Sequence, residues 1–293
     1  MRLLFILNTF PHTMFFVKKY TPKKIPIIFM LHGNLEELRK KKKIYHAGYW
    51  IKPAFFYKRK RENQKFLVLG ESIRTEVLKY INFIKNDLIS IPHPYQMIST
   101  KIEKKLSPKI VMGMIGSFSN EKRSELIYEL ENRIKQERIQ NLELLLVGAT
   151  QNNLETHAET NVKIWGNGTN KLDEKEYNSG IKLLDYILFF WPNDSYKMTA
   201  SGAVLDAIAH RKPIIAIKTS YLQWVFETVG DIGFLCETFE ELVDIVIRIS
   251  KKELKNQLDL FSQNFNKAQL FFSRENVKEI MNKKDVWMIN SMK

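Results

Sequence analysis

The chain has 293 residues, a formal net charge of +14, 44% hydrophobic and 27% charged residues, and one cysteine. That length exceeds one ordinary compact core and suits two domains of moderate size, and the balance is globular, with no low-complexity tract or internal repeat. A single Cys236 excludes an intramolecular disulfide and a Cys-rich metal site, and its side chain reads as a small buried apolar group.

The charge excess sits at one end. Residues 1–105 hold 22 Lys and Arg against 7 Asp and Glu, and residues 106–293 hold 24 against 25. The basic clusters at 17–24, 39–43 and 57–63 are interleaved with Tyr45, Tyr49, Trp50, Phe55, Phe56 and Tyr57. Such a pattern docks on an anionic partner with an apolar component. An acidic membrane surface fits, nucleic acid is the competing partner, and a solvated lysine-rich face needs no partner at all. The apolar-rich first seventeen residues are interrupted by Asn8, Thr9, Pro11, His12 and Thr13. They therefore make neither a signal peptide nor a spanning helix, and the expected location is cytoplasmic, peripheral on the inner face of the plasma membrane.

In chain order, strands are predicted at 2–7, 26–31, 66–70 and 88–92, with a helix over 71–81. The polar stretch 93–108 reads as an interdomain linker. The alternation then restarts: strand 109–116, helix 120–137 with Ile127, Leu130 and Ile134 on one face, and strands at 142–148 and 162–166. Helix 174–184, strand 186–191, helix 202–210 and strand 213–217 follow, and 240–284 is helical in pattern. Near-continuous apolar strands bounded by helices mean parallel sheets covered on both faces. The expected architecture is α/β, two Rossmann-like doubly wound domains facing across a cleft, over 1–105 and 106–270, with a helical tail at 271–293 packing back on the first.

Several motifs are absent: no phosphate-binding Gly-x-x-x-x-Gly-Lys-Ser/Thr loop, no Asp-x-Asp, no His-Glu-x-x-His and no Gly-x-Ser-x-Gly. Three loops at strand ends remain. In "GSFSNEKR" (116–123), Gly116 permits close backbone approach and Ser117 and Lys122 follow at the predicted helix start, a combination that holds phosphate oxygens. In "SGAVLDAIAHRKPIIA" (201–216), Ser201 and Gly202 open a helix, and Asp206 lies one turn on, where a carboxylate can accept from a ribose diol. In "FMLHGNLEEL" (29–38), His32 ends a strand and Gly33 turns the chain, a position suited to a general base. Each of these is also compatible with an ordinary turn, a capped helix or a structural histidine. His12, His46, His93, His157 and His210 lack comparable placement.

Taken in order, "LHG", "LGESI", "IPHP", "IGSFSNEK", "LLLVG", "SGAVLDAIAHRKPIIA" and "VGDIGFL" form a set over roughly residues 26–245 that resembles the GT-B glycosyltransferases, specifically retaining glycosyltransferase family 4. The resemblance implies a nucleoside-diphosphate-sugar donor held mainly by the second domain, an acceptor held by the first, and no required metal or other cofactor. Lys122 matches the lysine that neutralises the donor diphosphate, Asp206 falls at the second glutamate of the Glu-x7-Glu motif, and His32 matches a histidine of the acceptor domain. The implied catalytic residues are His32 and Lys122, and the implied donor-binding set is Gly33, Gly116, Ser117, Lys122, Met198, Ser201, Gly202 and Asp206. Three departures stand out. Met198 occupies the place of the first glutamate, Ser117 that of an arginine, and the first domain is short. The acceptor implied is a bacterial surface-glycan precursor, lipid-linked. A GT-B scaffold or partner subunit without catalysis is the alternative, and a nucleic-acid-binding protein a further one.

Overall fold

The structure, a computed structural model of the full chain, describes every residue except 1–2, 8–9, 34, 40–42, 45–46, 59–62, 99–108, 151–159, 167–171, 285 and 288–293. Most of the predicted linker, parts of the basic clusters at 39–43 and 57–63, Tyr45, His46 and His157 lie outside the described residues. The chain divides into two compact units. Unit 1 comprises Met1–Tyr95, Tyr196–Ser201 and Phe271–Lys293; unit 2 comprises Gln96–Ser195 and Gly202–Leu270.

Unit 1 runs β1 (Leu4–Ile6), α1 (Pro11–Tyr20), β2 (Ile27–Met30), α2 (Ile51–Phe56), β3 (Gln64–Val68), α3 (Glu71–Ile81) and β4 (Leu88–Ser90), with a short 3-10 turn at Ala47–Trp50 before α2. The four strands are parallel and lie in sequence order, β1-β2-β3-β4. Helix α1 was not foreseen, because the residues that interrupt the apolar run, Pro11, His12 and Thr13, form its first turn. Proline is tolerated there, where its missing N–H has no helical partner anyway. Since every crossover steps the same way across the sheet, right-handed connections place α1 to α3 on one face.

Alternation along the strands assigns the faces. Phe29 and Phe66 stack at 5.6 Å, and Lys18 of α1 lies 5.3 Å from the Phe66 ring centroid. Phe5, paired with Ile28 rather than Phe29, points to the opposite face, where it meets Trp287 at 6.3 Å. The C-terminal segment thus covers the face that α1 to α3 leave open, and Lys284 Nζ donates to Ser90 O on the far edge strand at 2.9 Å. Lys18 is fully buried and donates to Ala54 O, Phe55 O and Tyr57 O at 3.0, 3.2 and 3.1 Å. Its three N–H donors satisfy carbonyls around the end of α2 that the helix cannot pair itself, which locks α1 to α2. Burial pushes this ammonium down to about 7.

Unit 2 runs β5 (Ile110–Phe118), α4 (Leu126–Gln136), β6 (Leu142–Thr150), β7 (Lys163–Trp165), α5 (Glu174–Leu183), β8 (Tyr186–Phe189), α6 (Gly202–Ala209), β9 (Ile214–Ile217), α7 (Ser220–Val229), β10 (Gly233–Cys236), α8 (Phe239–Ser250) and α9 (Leu258–Phe272), whose last two residues fall in unit 1. Helix α10 (Arg274–Lys283) belongs to unit 1. The six parallel strands are ordered β10-β9-β8-β5-β6-β7. Read within the unit, that is the doubly wound Rossmann order, reversing direction between β5 and β8. The core joins Ile127 and Leu130 of α4 to Leu146, Leu188, Phe190, Ile215 and Val246, each burial stabilising by about 1.5–3 kcal/mol. At the register pair Gly116↔Gly148, a Cβ on Gly148 would lie 1.8 Å from Gly116 O, and φ there is +149°. Only glycine lets the two strands continue side by side to Phe118 and Thr150.

The helix predicted over 120–137 is interrupted. Asn120–Lys122 is a 3-10 turn, Arg123 takes φ +53°, and α4 begins only at Leu126. Lys122 therefore sits in the turn between β5 and α4, not on the first turn of the helix, because the left-handed residue separates them.

Candidate nucleotide site of unit 2

Open α/β sheets bind ligands outside the carboxyl ends of their strands, at the point where the strand order reverses. In unit 2 that point lies between β5 and β8, and the connections leaving it carry most of the residues implicated by sequence. Gly116 has φ +92° and a side on which an added Cβ would meet only Tyr177 Oη, at 3.9 Å. Ser117 is exposed one residue later. Lys122 folds back over this strand end, Nζ donating to Ser117 O and Ser117 Oγ at 2.7 Å each. Burial lowers the pKa of this ammonium, while Glu121 acts to raise it. A partly desolvated cation tethered to two neutral oxygens is well placed to exchange them for an anion, a stronger partner.

On the other side of the reversal, α6 begins at Gly202, where an added Cβ would touch nothing within 4 Å. The start of the helix is therefore uncrowded on the Gly202 side, leaving room for an anion beside it. Asp206, half-buried on the same helix, accepts from Tyr177 Oη through Oδ2 at 3.0 Å. The far end of α6 is fixed by α9. Gln269 Nε2 donates to Ile208 O and Ala209 O at 3.0 and 3.1 Å, and Arg211 donates to Asn266 Oδ1 at 2.7 Å and Ser262 O at 2.9 Å. Directly after Ala209, His210 Nε2 lies 2.8 Å from Asn178 Oδ1, one residue along α5 from Tyr177. Helices α5 and α6 are thus clamped together beside the strand end. The α5 start is itself set by a capping box, Asp173 accepting from Glu176 N at 2.7 Å.

The structure therefore gathers Gly116, Ser117, Lys122, Gly202 and Asp206 at one end of the unit 2 sheet, and adds Tyr177, which sequence reading did not single out. Nothing local marks Tyr177. It is 29 residues from Asp206, and only the fold brings the two side chains into contact.

The other predicted residues belong to unit 1. His32 is exposed two residues beyond β2, and Gly33 takes φ +80° with open space around it. The His93 ring, set aside in the sequence reading, stands 6.1 Å from that of His32. Burial lowers the His93 pKa, and a weaker contribution comes from His32. The signal available in sequence is that His93 follows β4 as His32 follows β2, so two parallel strands of one sheet deliver both to the same sheet end. His32 also borders an apolar recess walled by Pro11, Met14, Leu35, Ile51 and Phe55. Met198 is buried, its backbone N–H donating to Glu36 Oε1 at 2.6 Å, and Ser201 is buried as well. Among the described residues, no three His, Cys, Asp or Glu side chains form a group that could hold a metal ion.

No protein-family model and no curated protein sequence matches the chain. Solved structures do. S. aureus TarM, in complex with fondaparinux, alpha-GlcNAc-glycerol and UDP, superposes with a TM-score of 0.66 at 16% identity, covering 96% of this chain and 54% of that one. HepE of Anabaena in complex with UDP-glucose gives 0.66 at 12%, covering 97% and 78%. Sucrose-phosphate synthase of Thermosynechococcus elongatus gives 0.61 at 12%, covering 98% and 73%. These neighbours are GT-B glycosyltransferases. The chain spans about half the length of TarM, and what it shares with all three is the GT-B fold, a pair of parallel α/β units.

Proposed function

We propose that the chain is a glycosyltransferase that moves a sugar from a nucleoside-diphosphate-sugar donor to a glycan acceptor. The observation that carries this reading is the convergence of Lys122, the Gly116–Ser117 strand end, the open start of α6 and the Tyr177–Asp206 pair at the strand-order reversal of unit 2. In this reading Lys122 leaves the Ser117 oxygens to meet the donor diphosphate, and the Gly202 amide with the α6 dipole adds a second positive contribution. Asp206, oriented by Tyr177, accepts from the ribose hydroxyls. Departure of the nucleoside diphosphate is then stabilised by groups already in place, without a metal ion. His32, with His93 beside it, serves the acceptor as base or orienting group. The neighbours crystallised with UDP or UDP-glucose make a uridine nucleotide the first donor to test.

The acceptor we assign is a lipid-linked surface-glycan precursor, with the anomeric configuration of the sugar retained. The basic end of the chain lies against the anionic membrane that carries it. One observation favours a second reading, a GT-B scaffold without transfer: Met198, apolar and buried, stands where the resemblance places a carboxylate. Release of UDP from UDP-sugars separates the two. Turnover that falls about 100-fold or more in Lys122→Ala supports catalysis. Near-normal turnover in that variant removes Lys122 from the mechanism, and no turnover in the native chain supports the scaffold.

A further inference from the structure

Every exposed Phe, Tyr or Trp side chain among the described residues belongs to unit 1: Phe16, Tyr20 and Phe56, more than half exposed, and Phe10, Tyr49, Trp50 and Phe83, somewhat less so. Unit 2 exposes only aliphatic side chains of comparable size. An even scatter of surface apolar groups is ordinary, but this segregation is not. Ring contacts join these residues into neighbouring groups. Phe16 and Tyr20 pack at 5.0 Å one turn apart on α1, and Tyr49 meets Trp50 at 5.4 Å. Trp50 meets Phe15 of α1 at 6.5 Å, and Phe56 meets Phe83 at 4.3 Å. Phe16 and Tyr20 lie on α1, Tyr49 and Trp50 in the 3-10 turn before α2, Phe56 at the end of α2, and Phe83 just after α3.

The same layer is strongly basic. Among the described residues before β3, Lys19, Lys23, Lys24, Arg39, Lys43, Lys52 and Lys58 stand on or next to it, besides the buried Lys18, against Glu36 and Glu37. Lys19, Lys52 and Lys58 are exposed, each with Nζ within 5.1 to 5.7 Å of an aromatic ring centroid: Tyr20, Tyr80 and Tyr57 respectively. Glu36 pairs with Arg39 at 3.1 Å, so those two charges offset each other and the excess rests on the lysines. The layer is also preformed. Lys18 ties α1 to the end of α2 through three carbonyls, and Lys58 Nζ donates back to Lys18 O at 3.1 Å. Exposed Phe, Tyr and Trp side chains interleaved with exposed lysines match the interface of an anionic bilayer, where rings sit at headgroup depth and ammonium groups meet phosphates. No helix among the described residues is long and apolar enough to cross a membrane.

We propose that the outer face of the α1–Ala47–Trp50–α2 layer is a docking surface for an anionic lipid bilayer, with Phe16, Tyr20 and Trp50 entering the interface and Lys19 and Lys52 meeting lipid phosphates. This deepens the membrane contact in the function proposed above, and it stands on unit 1 alone. Docking brings the bilayer against the helices that wall the apolar recess beside His32, the side from which a lipid-borne acceptor would arrive.

Vesicle sedimentation of the full chain tests it, with phosphatidylcholine vesicles compared against the same vesicles containing phosphatidylglycerol. We expect binding to the anionic vesicles at least about tenfold tighter than to neutral ones, falling as salt rises. Phe16→Ser with Tyr20→Ser should weaken binding about tenfold without changing the circular dichroism spectrum. Lys19→Glu with Lys52→Glu should abolish the preference for anionic lipid. Binding unaltered by both pairs overturns the proposal, as does no binding to either vesicle. Poly(U) RNA bound with equal affinity and lost in the same variants would reassign the face to nucleic acid. Stabilisation by nucleotides, measured without lipid, reports on unit 2 separately. Its survival beside a negative vesicle result would retire this inference and leave the transferase reading standing.

Discussion

Lys122 and His210 illustrate what single side chains contribute. The sequence puts Lys122 at a helix start after the Gly116 strand end, whereas the structure puts it in the turn that follows β5. Arg123 in the left-handed region separates it from α4, so its charge acts through the turn and the Ser117 oxygens rather than beside a helix dipole. His210, dismissed in sequence, holds α6 to α5. Burial, reinforced by Lys212 and Lys182, pushes its pKa down to about 4 from 6.5. The unfolded chain takes up that proton near pH 6.5 and the folded chain only near pH 4. The stability His210 contributes above pH 6.5 is therefore lost as the pH falls through that window, by at most about 3 kcal/mol. Urea midpoints measured from pH 7 to 4 should fall less steeply in His210→Gln than in the native chain. Parallel profiles would show that His210 does not titrate on unfolding.

Among the elements, those with a strong period were readable. The 71–81 helix appears as α3 over the same residues, and the apolar runs of both units became parallel strands within a few residues of their predicted ends. What sequence did not show was what long-range packing decides. Helix α1 was hidden by its proline-led first turn, α2 is six residues long, and α7 was passed over between two strands. The partner of Asp206 likewise depends on how α5 and α6 pack, which no spacing encodes. Glycine roles separate at this scale. Gly148→Ala must drive a Cβ to 1.8 Å from Gly116 O at a φ of +149°, so it should cost more than about 4 kcal/mol and lower the melting temperature sharply. Gly202→Ala meets nothing within 4 Å, so it should fold normally and weaken nucleotide binding by crowding the helix start. Equal melting temperatures for the two variants would refute the distinction.

For the whole molecule, the α/β class and the GT-B resemblance were readable from the order of loops, since strand ends recur at fixed places in a doubly wound chain. The return of the chain to unit 1 at Tyr196–Ser201 was not, because nothing in that short stretch marks where it packs. The C-terminal segment completes unit 1: Phe272, Val277, Met281 and Val286 are buried, and Trp287 meets Phe5 on the face that α1 to α3 do not cover. A chain ending at Leu270 should lose amide-exchange protection in β1 to β4 while the strands of unit 2 keep theirs; uniform protection would show that the segment is dispensable. Unit 2 is proposed to hold a nucleoside-diphosphate sugar at its strand-order reversal. Thermal stabilisation across UDP-, GDP-, CMP- and dTDP-sugars tests it most directly, because a ligand that binds only the folded chain raises its melting temperature. One nucleotide class should stabilise the native chain, and Lys122→Ala and Asp206→Ala should both lose the effect. No shift with any nucleotide in the folded protein, or a shift that both variants retain in full, would contradict it.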